Sequence, residues 1–331
     1  MAFSGSTVRV LGLLLSSLLV LGCASPQKPG AESPKTRAEA RGFVDPLPSW
    51  NETPTKAQIT EFVRSVTDPD GPAFVAPEAR IATFDNDGTL WVEQPMYAEM
   101  AFAIHRVKDL VHVHPEWKTQ EPFRAVIEDD EDALMAAGMH GVLEIIVASH
   151  TGMTATLFDS IATEWVREAR HPKFGELYTE LAYQPQIELL RYLEANGFKT
   201  FVVSGGSAEF IRTFTEQVYG IPRERVVGSS IETRYEVLAG KPSLLRRPEI
   251  SFVDDKAGKP VGIYQHIGRA PILAFGNSDG DLEMLQWTTG GGGPRLGLIL
   301  HHDDAKREYA YDRESRVGKL DRALDAAGQS G

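Results

Sequence analysis

Short runs of apolar and β-branched residues alternate along the chain with longer segments in which apolar positions recur every three or four residues. The runs predict β-strands and the periodic segments predict amphipathic helices. The predicted strands are Arg80–Phe84, Phe198–Val203, Arg225–Val237, Pro271–Phe275 and Arg295–Leu300. Because strands alternate with helices, we predict an α/β fold whose parallel sheet carries helices on both faces.

The longest helical segment separates the first two predicted strands. From Met96 to about Leu193 the apolar positions repeat almost entirely at helical spacing, which predicts a smaller all-helical domain inserted after the first strand. Ahead of that strand, Pro54 can occupy the first position of a helix capped by Thr53. Pro260–Ile267 is a further amphipathic segment.

The N-terminus has the pattern of an export signal. Arg9 precedes an apolar run from Val10 to Leu21, which as a helix would rise about 18 Å and fall short of the roughly 30 Å hydrocarbon core of a bilayer. We therefore predict a signal peptide over residues 1–22. Val20–Cys23 resembles a bacterial lipobox, which implies lipid attachment at Cys23; an ordinary signal peptide with cysteine at its cleavage site is the alternative.

Residues 23–46 are polar and proline-bearing, which predicts a flexible tether. With lipidation, the protein would lie in the bacterial cell envelope on the periplasmic side, held to the membrane through its N-terminal lipid anchor only. No later stretch is long and apolar enough for another membrane segment.

Composition and charge limit the partners and the kinds of active site that the chain can have. The net charge of −12 disfavours nucleic acid as a partner. Cys23 is the only cysteine of the 331 residues, which excludes an internal disulfide framework, a cysteine-based zinc site and a catalytic thiol in the body of the fold. Oxygen and nitrogen groups must therefore carry any chemistry.

Polar residues follow three of the predicted strands. The first strand ends at Asp85-Asn86-Asp87-Gly88-Thr89, the second at Ser204-Gly205-Gly206, and a later one at Gly276-Asn277-Ser278-Asp279-Gly280-Asp281. Ligands of open α/β sheets bind beyond the carboxyl ends of strands, so we expect these groups to form one site.

These motifs, in this order, resemble those of the haloacid dehalogenase (HAD) superfamily, and within it the phosphoserine-phosphatase-like branch. The resemblance covers residues 80 to about 300 apart from the helical insert. It implies a Rossmann-like core domain over 47–91 and 195–331, with a helical cap domain over 92–194. The motif lysine is assigned to Lys259 in preference to Lys256.

The resemblance also implies a role for each motif residue. Asp85 would be the nucleophile that forms an aspartyl-phosphate, and Asp87 the general acid and then base. Ser204 and the backbone N–H groups of Gly205 and Gly206, at a helix N-terminus, would bind the substrate phosphate together with Lys259. Mg²⁺ would be held by Asp85, the Asp87 carbonyl and Asn277. Asp281 would contribute to the metal site, orienting Lys259 or a metal-bound water.

Asn277 departs from the family pattern, because the branch usually has an acidic metal ligand at this position. We therefore expect weaker magnesium affinity, although Asn still offers a carbonyl oxygen. Asp279 could lend the missing carboxylate through a water, or it could cap a helix. Glu93, Tyr97 and His150 lie where the insert could face the site, and they are candidates for substrate selection.

The predicted function is hydrolysis of a small soluble phosphomonoester, phosphoserine-like or of broad specificity, with Mg²⁺ as cofactor. A phosphotransferase or mutase on the same scaffold is one alternative. A catalytically degenerate, lipid-anchored binding protein is the other, and Asn277 is the feature that favours it. The sequence leaves the oligomeric state open.

Overall fold

The computed structural model describes residues 45–330, apart from the side chains of Met139 and Ser330. The predicted signal peptide, the Cys23 anchor and nearly all of the tether lie outside the described residues. Between 45 and 330 no helix is long and apolar enough to cross a membrane.

A six-stranded sheet organises the described part of the chain, with the strand order β4-β3-β2-β1-β5-β6. All neighbouring strands pair in parallel except β3 and β4, which are antiparallel. The predicted α/β fold with a parallel sheet is therefore confirmed, with one antiparallel edge strand added. The strands are β1 (Ile81–Phe84), β2 (Lys199–Ser207), β3 (Val226–Leu238), β4 (Lys241–Phe252), β5 (Leu273–Gly276) and β6 (Leu296–Ile299).

The first strand is central because its side chains suit burial on both faces. Every residue of β1 is buried, and the strand pairs with β2 on one side and β5 on the other. A short, wholly apolar or β-branched run such as Ile81–Phe84 is typical of an internal parallel strand. The carboxyl ends of β1, β2 and β5 consequently lie side by side.

Helices cover the sheet and fill the segment between the first two strands. Before β1 and up to β2 they are α1 (Pro54–Thr67), α2 (Ala98–Leu110), α3 (Phe123–Glu128), α4 (Glu131–Ala136), α5 (Gly138–His150), α6 (Ala155–Glu168) and α7 (Gln184–Ala195). After β2 they are α8 (Ala208–Ile211), α9 (Thr215–Tyr219), α10 (Gly258–His266), α11 (Leu282–Thr289) and α12 (Arg322–Ser330). The helix predicted from Pro54 is confirmed, and the Thr53 side chain accepts the Lys56 N–H at its start.

The helices of the insert pack in two ways. Helices α2, α3 and α5 share a hydrophobic cluster of their own, which contains Met100, Ala103, Val107, Trp117, Val126 and Ile145. By contrast, Phe158 of α6 and Leu189 of α7 lie in the same cluster as Phe84 of β1 and Val202 of β2. The division into a core and a cap domain with boundaries at 92 and 194 stays a prediction.

The β3–β4 hairpin extends beyond the predicted strand pattern. Only its first strand was expected, yet the chain turns at Ala239 and Gly240 and returns as β4. Both turn residues have positive φ, 48° and 79°, as a two-residue type I′ hairpin turn requires. Its cross-strand pair Tyr235 and Leu244 is 63% and 51% exposed, so much of the hairpin lies outside the core.

Candidate functional site

The structure brings the predicted residues together at the carboxyl ends of β1, β2 and β5. Asp85 directly follows β1, Ser204 lies near the end of β2, and Asn277 directly follows β5. The Lys259 ammonium, from the first turn of α10, reaches the same place and donates to the Val203 carbonyl of β2 at 2.9 Å. One site therefore contains groups that are up to 196 positions apart in the chain (281 − 85).

The centre of the site is a lysine between two carboxylates. Lys259 Nζ donates to Asp85 Oδ1 and to Asp281 Oδ1, both at 2.6 Å, and all three residues are buried. With the bond to Val203, the three ammonium hydrogens are all used. Burial alone would lower the pKa of Lys259, but Asp281 and Asp85 outweigh this and raise it. Lys256 is exposed, and its backbone N–H donates to Gly280.

Burial shifts the pKa of Asp85, the nucleophile candidate, in the opposite direction to that of Lys259. Burial and the neighbouring Asp281 carboxylate raise the pKa of Asp85 well above its ordinary value, while Lys259 opposes the increase. The ion pair with Lys259 thus stabilises the charged form of Asp85, the form able to attack phosphorus.

The loop after β5 uses its two aspartates differently. Asp281 Oδ2 accepts the backbone N–H groups of Asn277 and Ser278 at 3.0 and 3.1 Å, so both Asp281 oxygens are bound by protein donors. Asp279 Oδ1 accepts the N–H groups of Asp321 and Ala323, both at 2.9 Å. Asp279 therefore caps α12 in place of lending a carboxylate to the site.

Asn277 is held at both ends of its side-chain amide. Its Oδ1 accepts from Thr89 Oγ1 at 3.0 Å, and its Nδ2 donates to Glu93 Oε1 at 2.6 Å. Gly88 lies against this contact with a φ of 76°, and a Cβ there would be 2.1 Å from Asn277 Nδ2. The glycine of the first motif is required by both its backbone conformation and the close approach of Asn277.

Asp87 has the environment of an acid–base group. Trp91 Nε1 donates to Asp87 Oδ1 at 2.8 Å, and burial raises the pKa of Asp87 to about 6 against the opposing effect of that bond. The Asp87 side chain is partly exposed, so it can exchange protons with solvent or a bound molecule. A carboxyl group with a pKa near 6 can both donate and accept a proton close to neutral pH.

The segment after Ser204 differs from the prediction. Strand β2 continues through Gly205 and Gly206 to Ser207, with a shift in register against β3 between Ser204 and Ser207. Gly206 N–H donates to Ser204 Oγ at 3.1 Å, and α8 begins only at Ala208 and has four residues. The predicted placement of Gly205 and Gly206 at a helix N-terminus was therefore wrong, because the bulge keeps both residues in β2; phosphate binding by their N–H groups stays a prediction.

The oxygen groups that follow β1 and β5 are of the type that binds magnesium. Lys259 occupies only one of the two Asp85 oxygens, and the Asp87 carbonyl and Asn277 Oδ1 follow the ends of the neighbouring strands β1 and β5. An all-oxygen donor set with few protein ligands suits Mg²⁺, which retains several waters. In the described part of the chain no three His, Cys, Asp or Glu side chains form a group that could hold a metal ion, so a magnesium site here would depend on the Asp87 backbone carbonyl and the Asn277 amide as well as on Asp85.

Sequence reasoning overlooked two contacts of the site. Glu99 of α2 accepts both the N–H and the hydroxyl of Ser207, and it also contacts the buried His150. Tyr311, in a C-terminal segment without a strong periodic pattern, donates its hydroxyl to Glu93 at 2.8 Å. The Glu99–Ser207 and Tyr311–Glu93 contacts had no local signal, because they join residues 108 and 218 positions apart. Tyr97, a candidate for substrate selection, contacts the Gly318 N–H.

The raised pKa of Asp87 predicts a stability change in the metal-free protein. The Asp87 carboxyl group binds its proton more tightly in the folded protein than in the unfolded protein. The folded protein therefore loses stability as the pH rises from about 4 to 6. We expect Asp87→Asn to increase the free energy of unfolding by about 2 kcal/mol above pH 6, a figure lowered because the Asp87 side chain is partly exposed. Below pH 4 we expect little change. Urea denaturation in chelator at both pH values measures this; a variant less stable at high pH would contradict it.

Comparisons with known proteins agree with this geometry. The profile of the family described as "haloacid dehalogenase-like hydrolase" matches residues 82–286. No curated protein matches the chain. Among solved structures, a functionally unknown protein from Anaerococcus prevotii is similar, with 15% identity, a TM-score of 0.51, and coverage of 76% of this chain and 86% of that one.

Two further similar structures have lower TM-scores. A probable phosphoserine phosphatase from Vibrio cholerae shows 15% identity and a TM-score of 0.37, covering 84% of this chain and 74% of that one. A phosphoserine phosphohydrolase-like protein from Francisella tularensis shows 16% identity and a TM-score of 0.36, covering 62% and 82%. From the match over residues 82–286, together with the sheet order and the grouped motif residues, the chain belongs to the haloacid dehalogenase-like hydrolase family.

Proposed function

We propose that this protein is a magnesium-dependent phosphomonoester hydrolase that works through an aspartyl-phosphate on Asp85. The observation that carries the proposal is the buried arrangement in which Lys259 bridges Asp85 and Asp281, each at 2.6 Å. Two buried carboxylates around one lysine are costly to fold, and such clusters occur preferentially at functional sites.

The residues divide the reaction into two displacements. An Asp85 oxygen bonds to phosphorus while the bond from phosphorus to the ester oxygen breaks, and Asp87 donates a proton to that departing oxygen. Asp87 then takes a proton from water, whose oxygen attacks phosphorus and releases Asp85 and phosphate. Lys259 and the Ser204 hydroxyl would offset negative charge on the phosphoryl oxygens.

A divalent cation would reduce the repulsion between Asp85 and the anionic substrate. The residues available to hold it are Asp85, Asp87 through its carbonyl, and Asn277. Because Asp281 has both oxygens bound by protein donors, its part in the site would be to hold Lys259.

The substrate class follows from the enclosure of the site. Asp85 is 7% exposed, which favours a small phosphate ester over a protein loop. Phosphoserine-like esters come first by the family resemblance, and broad specificity fits an exported enzyme. Export and the Cys23 anchor rest on the sequence pattern of residues 1–23.

Release of phosphate from p-nitrophenyl phosphate, measured with magnesium and with chelator, tests the proposal. We expect release that depends on magnesium. A phosphotransferase would consume the ester in the presence of a sugar acceptor and release little free phosphate, and a degenerate binding protein would do neither. Undiminished release in chelator would contradict the magnesium requirement.

A further inference from the structure

The departure at Asn277 has a counterpart in the surrounding structure. Asn277 is 1% exposed, and its amide can present an oxygen at one end only. Its orientation therefore matters more than that of the symmetric carboxylate usual at this position. The Nδ2 bond to Glu93 fixes the amide, so that Oδ1 lies on the Thr89 side and keeps a lone pair beyond the Thr89 bond.

Glu93 lies in a space built around its carboxylate. The residue is 2% exposed, and Oε1 accepts from both Asn277 Nδ2 and the Tyr311 hydroxyl. A Cβ on Gly88 would lie 2.3 Å from Glu93 Oε1, and one on Gly318 would lie 1.8 Å from it. Two positive-φ glycines thus leave room for this carboxylate from different parts of the chain.

We propose that Glu93 is a positioning residue of the metal site, which orients the Asn277 oxygen towards the place that a carboxylate ligand at position 277 would reach. Glu93 and Asn277 together then replace a single carboxylate. Because Glu93 Oε1 accepts hydrogen bonds from both Asn277 Nδ2 and the Tyr311 hydroxyl, it selects the amide orientation in which Nδ2 faces Glu93. Partners of this kind control the orientation and basicity of metal ligands. This inference rests on the metal dependence of the proposed function.

Titration calorimetry with Mg²⁺ and with Mn²⁺, in the absence of substrate, tests the proposal. We expect Glu93→Gln to weaken binding by about 10-fold to 100-fold, the usual effect of removing such a partner. Glutamine can present N–H as well as oxygen to Asn277 and so no longer selects one orientation. The double variant Glu93→Gln/Asn277→Asp exchanges amide and carboxyl group within the pair, preserves the hydrogen bond and places a symmetric ligand at position 277. We expect it to recover wild-type affinity or better, which also shows that the position tolerates Gln.

A matched control is Glu188→Gln on α7, because Glu188 is also buried but bonds to Ser49 and Gln184. It should bind both cations as the wild type does. Wild-type affinity in Glu93→Gln, with or without a change in substrate KM, would overturn the inference. So would a double variant that binds as weakly as the single one. Absence of binding by the wild type would overturn both this inference and the magnesium part of the proposed function.

Discussion

Replacement of Asp85 by Asn is expected to lower phosphate release from p-nitrophenyl phosphate by about four orders of magnitude or more. The Asn amide has no carboxylate oxygen that could form the bond to phosphorus, so the covalent step is lost. The neighbouring groups remain, because Lys259 keeps its bonds to Asp281 and to the Val203 carbonyl. Initial rates at saturating ester and magnesium measure the effect, and mass spectrometry of acid-quenched wild type should locate phosphate on Asp85.

Asp279→Asn is the matched control for this result. Asp279 belongs to the loop that carries Asn277 and Asp281, yet its Oδ1 caps α12, and an Asn oxygen can accept the same two N–H groups. We expect its rate to stay close to that of the wild type. Substantial turnover by Asp85→Asn, in a protein with an unchanged melting temperature, would show that another group is the nucleophile.

The sequence predicted those parts of the site that local pattern determines. Ile81–Phe84 has apolar or β-branched residues on both faces of a strand and is followed directly by acidic and small residues, so both the buried strand and the site at its end were predictable. Lys259 could be preferred to Lys256 because it begins an amphipathic segment, and the structure buries Lys259 while Lys256 is exposed.

Other features depend on contacts that no local pattern encodes. The extension of β2 through Gly206 depends on a bulge against β3, where Ser229 donates to the Gly205 carbonyl at 2.7 Å. Strand β4 is largely exposed, so it lacks the alternation that a half-buried strand shows. The environment of Glu93 depends on Tyr311, 218 positions away.

The Asn277–Glu93 contact shows most clearly what the sequence alone cannot predict about the site. Read alone, Asn277 removes a charge from the metal site and favours either weak magnesium binding or a degenerate protein. The structure places the buried Glu93 carboxyl group 2.6 Å from the Asn277 nitrogen, so the orientation of the Asn277 amide depends on a residue that is distant in the chain but close in space.

Replacement of Lys259 by Met is expected to produce the largest loss of stability. The change removes the positive charge from between two carboxylates whose side chains are only 10% and 1% exposed. Water cannot replace the lysine there, so we expect the free energy of unfolding at pH 8 to fall by about 3–5 kcal/mol. The loss should shrink towards pH 5, because uncompensated buried carboxyl groups have raised pKa values and become neutral as the pH falls. Urea denaturation at the two pH values measures both effects.

Lys56 provides the comparison that separates charge burial from the loss of a lysine as such. Lys56 is also buried and contacts two carboxylates at 2.6 Å, but those of Asp45 and Glu52 are 35% and 86% exposed. Water can hydrate both after Lys56→Met, so that variant should lose much less stability than Lys259→Met. Adding Asp281→Asn to Lys259→Met should restore part of the lost stability, since one buried charge is removed. Equal losses from the two lysine variants would mean that Asp85 and Asp281 are hydrated in the folded protein, and that the site lacks the low-dielectric environment on which the proposed chemistry depends.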